Sequence, residues 1–126
     1  MRKLFLTLAI FLAVASLDVI PAAAHRETGI ASVYSNRLKG RRMANGDTYD
    51  PTQLIAAHKA LAFGTSVRIT NLKNKRSVVL KIVDRGPYRR LRIIDISPAA
   101  ASTLGMDRRG LQKVTLDVLE PDTGNP

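Results

Sequence analysis

The stretch that decides the fold is SVVLKIVDRGPYRRLRIIDIS, residues 77–97. In its first part, residues 77–83, every second side chain is apolar and continues one face. This period of two is typical of a β-strand that packs one face against a core. A second apolar run covers residues 91–96, and the turn at 85–87 separates the two, because its glycine permits unusual dihedral angles and its proline removes a backbone donor. The stretch therefore predicts two strands joined through a turn.

Each of these two runs carries one aspartate. Asp84 continues the apolar face of the first run where it meets the turn, and Asp95 lies inside the second. A carboxylate in an apolar strand is costly unless it is hydrogen-bonded, paired or placed at a cleft. The pair therefore predicts a functional site. The competing interpretation is structural: Asp84 accepts hydrogen bonds from turn amides, and Asp95 pairs with a neighbouring arginine.

The first 24 residues have the pattern of a secretory signal peptide. A charged start at Arg2 and Lys3 precedes the apolar run 4–15, and the small residues 22–24 offer a cleavage site. We expect an exported protein, soluble in the periplasm or secreted, with residues 25–126 as its single domain. A retained membrane anchor is the alternative, but the apolar run is short for a membrane span.

The composition narrows the possible partners. The net charge is +10, there is no tryptophan, and there is no cysteine that could form a disulfide, a zinc–thiolate site or a lipid anchor. A basic chain can bind nucleic acid, but the export signal argues against that partner. Contact with an anionic wall polymer or a membrane surface is the prediction, and charge that serves solubility alone is the alternative.

The remaining patterns predict a mainly β domain, a compact barrel with one or two short helices. The segment 54–61 fits either a short helix or a buried strand, and periodicity cannot decide between them. Ser97 followed by Pro98 predicts the start of a helix that ends at Gly105. The other predicted strands are Gly29–Tyr34, Ser66–Thr70 paired as a hairpin with 77–83, and Gln112–Leu119.

Five polar residues are candidates for catalysis: Asp47, Asp50, His58, Asp84 and Asp95. Cleavage of a glycosidic bond needs a protonated carboxyl group as acid and a second group that removes a proton or stabilises positive charge. Several carboxylates in a partly apolar cleft can divide these roles. The structural alternatives are Asx turns for the two loop aspartates and a buried histidine hydrogen-bonded to backbone. No metal-ligand spacing is present, so we predict neither metal nor cofactor.

The motifs together resemble the rare lipoprotein A family of bacterial wall proteins. The resemblance covers nearly all of residues 25–126, and its most specific part is DRGP followed by RIIDIS, with AAHK upstream. The matching segments are GIASVYS (29–35), ANGDTYD (44–50), AAHKALAFGTSVRITN (56–71), DRGPY (84–88), RIIDIS (92–97) and AAASTLGM (99–106). The resemblance implies a six-stranded double-psi β-barrel and an endolytic lytic transglycosylase, which cuts peptidoglycan glycan strands, preferably without stem peptides, and leaves anhydro-muramic ends.

The resemblance also implies roles for single residues. Asp50, His58 and Asp84 match family residues, Asp95 matches the general acid of related barrels, and Asp47 stands where a glutamate is usual. Cleft supports, expected to help bind substrate, are implied at Tyr34, Arg85 and Ser97. Two further departures are Val33 in place of a tryptophan and Val83 in place of an asparagine.

Two other functions stay open at this point. A non-catalytic module that binds wall polysaccharide, as expansins do, is favoured by Val33 and Asp47. A secreted effector or inhibitor that presents a basic surface is the third possibility. For all three we expect a monomer.

Overall fold

The computed structural model describes residues 25–107 and 109–120, and they form six strands, one α-helix and one 3-10 turn. The predicted signal peptide, residues 1–24, lies outside the described residues. The elements are β1 (Arg26–Val33), a 3-10 turn (Asn36–Leu38), β2 (Ile55–Ala57), β3 (Ser66–Asn71), β4 (Ser77–Asp84), β5 (Arg92–Ile96), α1 (Pro98–Thr103) and β6 (Leu111–Glu120).

The six strands close into a barrel in the order β1-β5-β2-β4-β3-β6. Two neighbouring pairs are parallel, β1 with β5 and β2 with β4, and the other pairs are antiparallel. Closure removes free strand edges, which matters in a domain of this size. The prediction of a mainly β, six-stranded double-psi barrel is confirmed.

Alternation in β4 builds one side of the core. Val78, Leu80 and Ile82 are buried, whereas Val79 and Lys81 face outwards. The predicted hairpin is confirmed, since β3 and β4 pair antiparallel. Burying a large aliphatic side chain contributes about 1.5–3 kcal/mol, so this alternation fixes the register. The core is completed by other strands and α1, through Ala31, Val67, Ile69, Ile94, Ile96, Leu104, Val114 and Leu116.

The helix begins as the sequence predicts. Ser97 is the N-cap and accepts a hydrogen bond from the amide of Ala100 at 3.3 Å, with Pro98 as the first helical residue. The helix ends at Thr103, and Gly105 follows in the left-handed region with φ of 62°. This six-residue helix is far shorter than a membrane span, and no helix among the described residues is long and apolar enough to cross a bilayer.

Two elements differ from the sequence prediction by more than one residue at a boundary. β1 begins at Arg26 rather than Gly29, because its first residues pair with β6 and Arg26 forms an ion pair with Asp117. Of the ambiguous segment 54–61, only Ile55–Ala57 is regular, and it is a strand. This strand lies between β4 and β5, which supply its hydrogen-bond partners on both sides.

Candidate active site

The two strand aspartates lie on either side of β2. Ala57 is the register partner of Asp84 in β4 and of Asp95 in β5. Neighbouring strands are about 4.8 Å apart, so the two aspartate Cα atoms are separated by about 10 Å. Both side chains are partly exposed. The fold therefore brings together two carboxylates that lie 11 positions apart in the sequence.

Asp84 is held by three hydrogen-bond donors. Its Oδ1 accepts the amides of Ala44 and Arg85, both at 2.9 Å, and its Oδ2 accepts the hydroxyl of Tyr34. The structural interpretation, in which Asp84 accepts turn amides, is confirmed. Because the donors come from separate segments, the carboxylate has a fixed orientation at the end of β4.

Asp95 has a different environment. Its Oδ1 accepts the hydroxyl of Ser32, the register partner of Asp95 in β1. Burial raises the pKa of Asp95; the Ser32 hydrogen bond and the charge of Arg92 oppose this shift, and the charge of Asp84 adds to it. The competing structural interpretation, an ion pair between Asp95 and a neighbouring arginine, is wrong, since no arginine nitrogen in 25–107 or 109–120 lies within 4 Å of this carboxylate. We call Asp84, Asp95, Tyr34 and Ser32 the carboxylate site.

Tyr34 joins the two halves of this site. It follows β1, and its hydroxyl reaches Asp84 although β5 and β2 separate β1 from β4. Burial, with the neighbouring charge of Asp84, raises the pKa of Tyr34, so the phenol stays protonated and acts as a donor. Its ring packs against Tyr49, with centroids 4.9 Å apart.

A small apolar pocket adjoins Asp84, which is one of its lining residues. Tyr49 is another residue that lines this pocket. Burial raises the pKa of Tyr49, and its buried hydroxyl has no hydrogen-bond partner among the described residues. The pocket is lined by Tyr34, Met43, Tyr49, Ile55, Ala56, Val83 and Asp84. Val83 therefore contributes to an apolar floor.

The two loop aspartates form local turns. Asp47 is exposed, accepts the side-chain amide of Asn45 at 2.9 Å, and its own amide donates to the same asparagine. Asp50 accepts the amide and hydroxyl of Thr52, at 2.9 and 2.7 Å, and these bonds lower the pKa of Asp50. The Asx-turn interpretation is confirmed for Asp50, but it is wrong for Asp47, because the side chain that accepts the turn amide there is that of Asn45. No hydrogen bond among the described residues joins either aspartate to Asp84 or Asp95.

His58 is buried, and both of its ring nitrogens have hydrogen-bond partners. Its Nδ1 accepts the amides of Ala60 and Leu61, both at 3.0 Å, and its Nε2 lies 2.7 Å from Oε2 of Glu27. Because Nδ1 is an acceptor, the Nε2 proton points at the glutamate. The interpretation of a buried histidine hydrogen-bonded to backbone is confirmed. His25 also lies 3.4 Å from Glu27, and we call these three residues the histidine cluster.

Arg85 and Ser97, the other two residues predicted to help bind substrate, make hydrogen bonds to backbone groups. Arg85 donates from Nη1 to the carbonyls of His58 and Leu61, at 3.2 and 2.7 Å, and its guanidinium lies 4.0 Å from the ring centroid of Phe63. Ser97 is fully buried as the cap of α1. Both side chains therefore fix the backbone around the site.

Three residues were missed by the sequence reasoning: Ser32, Glu27 and Tyr49. Ser32 could have been found, because it lies in the strand-like segment 29–34 with a polar side chain among apolar neighbours. Glu27 lies in the polar segment before the predicted strand 29–34, where no local pattern marks it. Tyr49 carried no signal beyond being aromatic in a loop.

A closed six-stranded barrel with two parallel strand pairs defines the class of double-psi β-barrel proteins. Within this class, the family model described as lytic transglycolase matches residues 26–116. The chain belongs to this family, and the resemblance to rare lipoprotein A proteins is confirmed.

The relatives point to the same family. The "Probable endolytic peptidoglycan transglycosylase RlpA" of Synechocystis is 44% identical over 86% of this chain and 35% of that protein. The endolytic peptidoglycan transglycosylase RlpA of Pseudomonas aeruginosa is 43% identical over 79% of this chain and 29% of that protein. The chain thus spans about a third of their length. A solved structure, the Streptomyces papain inhibitor, is similar with a TM-score of 0.62 and 25% identity over 76% of this chain and 96% of that one.

Proposed function

We propose that the protein is an endolytic peptidoglycan lytic transglycosylase. It would cut glycan strands, preferably those without stem peptides, and leave anhydro-muramic ends. The observation that carries the proposal is the carboxylate site, in which burial raises the pKa of Asp95 while Asp84, close by, accepts three hydrogen bonds. Two carboxylates in unlike environments are what acid-assisted cleavage of a glycosidic bond requires.

The reaction divides between the two aspartates. Protonated Asp95 donates its proton to the oxygen that leaves as the bond to the anomeric carbon of muramic acid breaks. The charge of Asp84 stabilises the oxocarbenium-like transition state. The primary hydroxyl of the same sugar then bonds to the anomeric carbon and gives its proton to a carboxylate of the pair. No water is consumed, and the product is a 1,6-anhydro ring.

The other candidate residues take supporting roles in this proposal. Tyr34 orients Asp84 through its hydroxyl. His58 and Arg85 position the chain behind Asp84, since the amide of His58 donates to the Asp84 carbonyl at 3.1 Å. Asp47 would assist a bound sugar from the loop whose Ala44 amide holds Asp84. We propose that Asp50 shapes the same loop and that Ser97 supports the cleft through α1.

The test is the nature of the new sugar end. Purified protein is incubated with glycan strands stripped of stem peptides, and the products are separated and weighed by mass spectrometry. Lytic cleavage gives anhydro ends, whereas hydrolysis gives ends heavier by one water. The proposal is contradicted if wild-type protein leaves the strands intact or produces hydrated ends.

A non-catalytic wall-binding module is the second candidate. It is favoured by the geometry of His58 and Asp47, which are occupied by partners within the chain. Under this alternative the protein would bind stripped strands and leave their length unchanged.

We further propose that the protein acts after export, as a monomer attached loosely to the wall through the net positive charge of residues 25–126. Exposed charges are screened beyond about 8 Å at physiological ionic strength. We therefore expect the bound fraction on isolated walls to fall steeply as salt is raised. Binding that stays constant across the salt series would contradict the electrostatic part of this proposal.

A further inference from the structure

The loop that follows Asp84 turns two large apolar side chains towards solvent. Tyr88 is 79% exposed and Leu91 is 73% exposed, the highest values among the large apolar side chains in the described part of the chain. Arg89 and Arg90 lie between them and are also exposed. We call these four residues the Tyr88 platform. An exposed apolar patch with polar neighbours marks a binding surface more often than a single exposed residue does.

The backbone of the platform is anchored to the barrel. The carbonyl of Leu91 accepts the amide of Ile30 at 2.9 Å, and the amide of Arg92 donates to the carbonyl of Arg89 at 3.2 Å. Leu91 itself has a φ of 68°, in the left-handed region that is unfavourable for a residue with a side chain. Backbone strain of this kind persists where the surrounding structure imposes it, and it clusters at ligand-binding sites.

The platform is basic and close to the carboxylate site. Neither Arg89 nor Arg90 has a carboxylate partner within ion-pair distance in residues 25–107 and 109–120. Four chain positions separate Tyr88 from Asp84, so their Cα atoms are at most about 14 Å apart. A strand bound across the carboxylates would therefore bring a neighbouring sugar within reach of these side chains.

We propose that the Tyr88 platform is a sugar subsite that recognises the free lactyl carboxylate of a muramic residue beside the bond to be cut. This inference rests on the proposed function. In a stripped strand every muramic residue carries that carboxylate, whereas an attached stem peptide converts it into an uncharged amide. A guanidinium group pairs with a carboxylate through two parallel hydrogen bonds, and the ring of Tyr88 offers an apolar face to the sugar.

The experiment compares binding of stripped and peptide-bearing strands. Affinities are measured by calorimetry in an Asp95→Asn background, in which we expect the strands to stay uncut, and cleavage is measured separately in the otherwise unchanged protein. The variants are Arg89→Gln with Arg90→Gln, and Tyr88→Ala. The matched control is Lys73→Gln, which removes one exposed charge from the β3–β4 turn, at the opposite end of β4 from Asp84.

We expect the double arginine variant to bind stripped strands about tenfold more weakly and to lose its preference over peptide-bearing strands, because a charge-assisted hydrogen bond is lost. Tyr88→Ala should weaken binding to both strands alike, and Tyr88→Phe should restore it. Lys73→Gln should match the parent protein. Circular dichroism checks that each variant is folded.

Failure of this inference is distinguishable from failure of the proposed function. If wild-type protein releases anhydro ends but the platform variants keep its affinity, KM and preference, the subsite is overturned and the lytic activity stands. If no anhydro ends appear and the double variant still loses its preference, the subsite stands and the lytic activity is overturned. An equal loss in Lys73→Gln would overturn the subsite, because general charge would then explain the binding.

Discussion

At the carboxylate site, Asp84 and Asp95 are partly exposed and accept hydrogen bonds, whereas in the histidine cluster His58 is 2% exposed and both ring nitrogens are engaged. The two regions meet at the end of β2, because His58 directly follows this strand and its amide donates to the carbonyl of Asp84, while its side chain contacts Glu27. A group that acts on substrate must keep a reactive atom accessible. The comparison therefore supports our proposal that the aspartates transfer the proton and that the histidine has a positioning role.

The largest effect should come from the acid itself. Asp95→Asn keeps the shape of the side chain but holds no transferable proton, so the cleavage rate should fall by roughly two to four decades. Asp84→Asn should also abolish cleavage, because the carboxylate charge that stabilises the transition state is lost. The measurement is the rate of release of anhydro ends at equal concentrations of folded protein.

The stability of Asp95→Asn provides its control. Because the pKa of Asp95 is raised in the folded state, its contribution to stability is present at low pH and is lost as pH rises through that pKa. Asn has no such dependence, so at neutral pH the variant should be at least as stable as wild type. A strongly destabilised variant whose folded fraction still cleaves normally would show that Asp95 is structural.

In the histidine cluster, we expect a substitution to lower stability and to leave the cleavage rate nearly unchanged. Glu27→Gln replaces a charged partner of His58 by a neutral one, which should reduce the free energy of unfolding by roughly 1–2 kcal/mol at neutral pH. The rate of cleavage per folded molecule should change little. Urea unfolding and the cleavage assay, performed on the same preparation, measure both.

The pH dependence sharpens this prediction. Burial opposes ionisation of Glu27, but hydrogen bonds from His58 and His25 hold the pKa of Glu27 below its ordinary value. Its contribution to stability is therefore present above that value and is lost as pH falls through the folded-state pKa. The difference between wild type and Glu27→Gln should shrink on acidification. A large loss of cleavage rate in folded Glu27→Gln would instead place the histidine cluster in the reaction.

Local patterns account for the parts of the fold that the sequence predicted well. The alternation in β4, the β3–β4 hairpin and the cap at Ser97 each depend on residues close together in the chain. The three-residue strand β2 could not be assigned from sequence, because β4 and β5 stabilise it from both sides. The early start of β1 depends on Asp117, which is 91 positions from Arg26.

Distance along the chain also decides which site residues could be predicted from the sequence. Asp84 and Asp95 could be predicted because a carboxylate in an apolar strand is unusual, whichever residues that strand pairs with. Their hydrogen-bond partners could not be predicted from the residue pattern, since Ser32 lies 63 positions from Asp95, and Tyr34, implied only by the family resemblance, lies 50 from Asp84. For His58 the motif predicted importance, but the direction of its ring depends on Glu27, which only the closed barrel brings near.

Tyr34 tests whether the orientation of Asp84 matters. Tyr34→Phe keeps the packing against Tyr49 and removes the hydroxyl that donates to Asp84. We expect about a tenfold lower rate of cleavage, the size of one hydrogen bond to a charged group, with little change in KM. The matched change Tyr49→Phe removes a buried hydroxyl that has no partner among the described residues, and it should leave the rate near that of wild type. Equal losses in both variants would show that the pocket, and not the hydrogen bond, controls the rate.

The smallest effect is expected at Ser32, and it concerns pH rather than maximal rate. If Asp95 must be protonated to act, cleavage falls as pH rises through its raised pKa. The hydrogen bond from Ser32 lowers the pKa of Asp95 against the larger effect of burial. Ser32→Ala removes that hydrogen bond, so the pKa should rise further and the alkaline limb of the pH profile should move to higher pH. Ser97→Ala is the matched control: it removes a buried serine hydroxyl that caps α1 and makes no hydrogen bond to Asp95, so it should cost about 1 kcal/mol of stability and leave the limb in place. If the alkaline limb of the pH profile moves to lower pH in Ser32→Ala, or moves equally in both variants, a group other than Asp95 donates the proton. The proposed roles of the carboxylate site in proton transfer and of the histidine cluster in positioning would then be wrong.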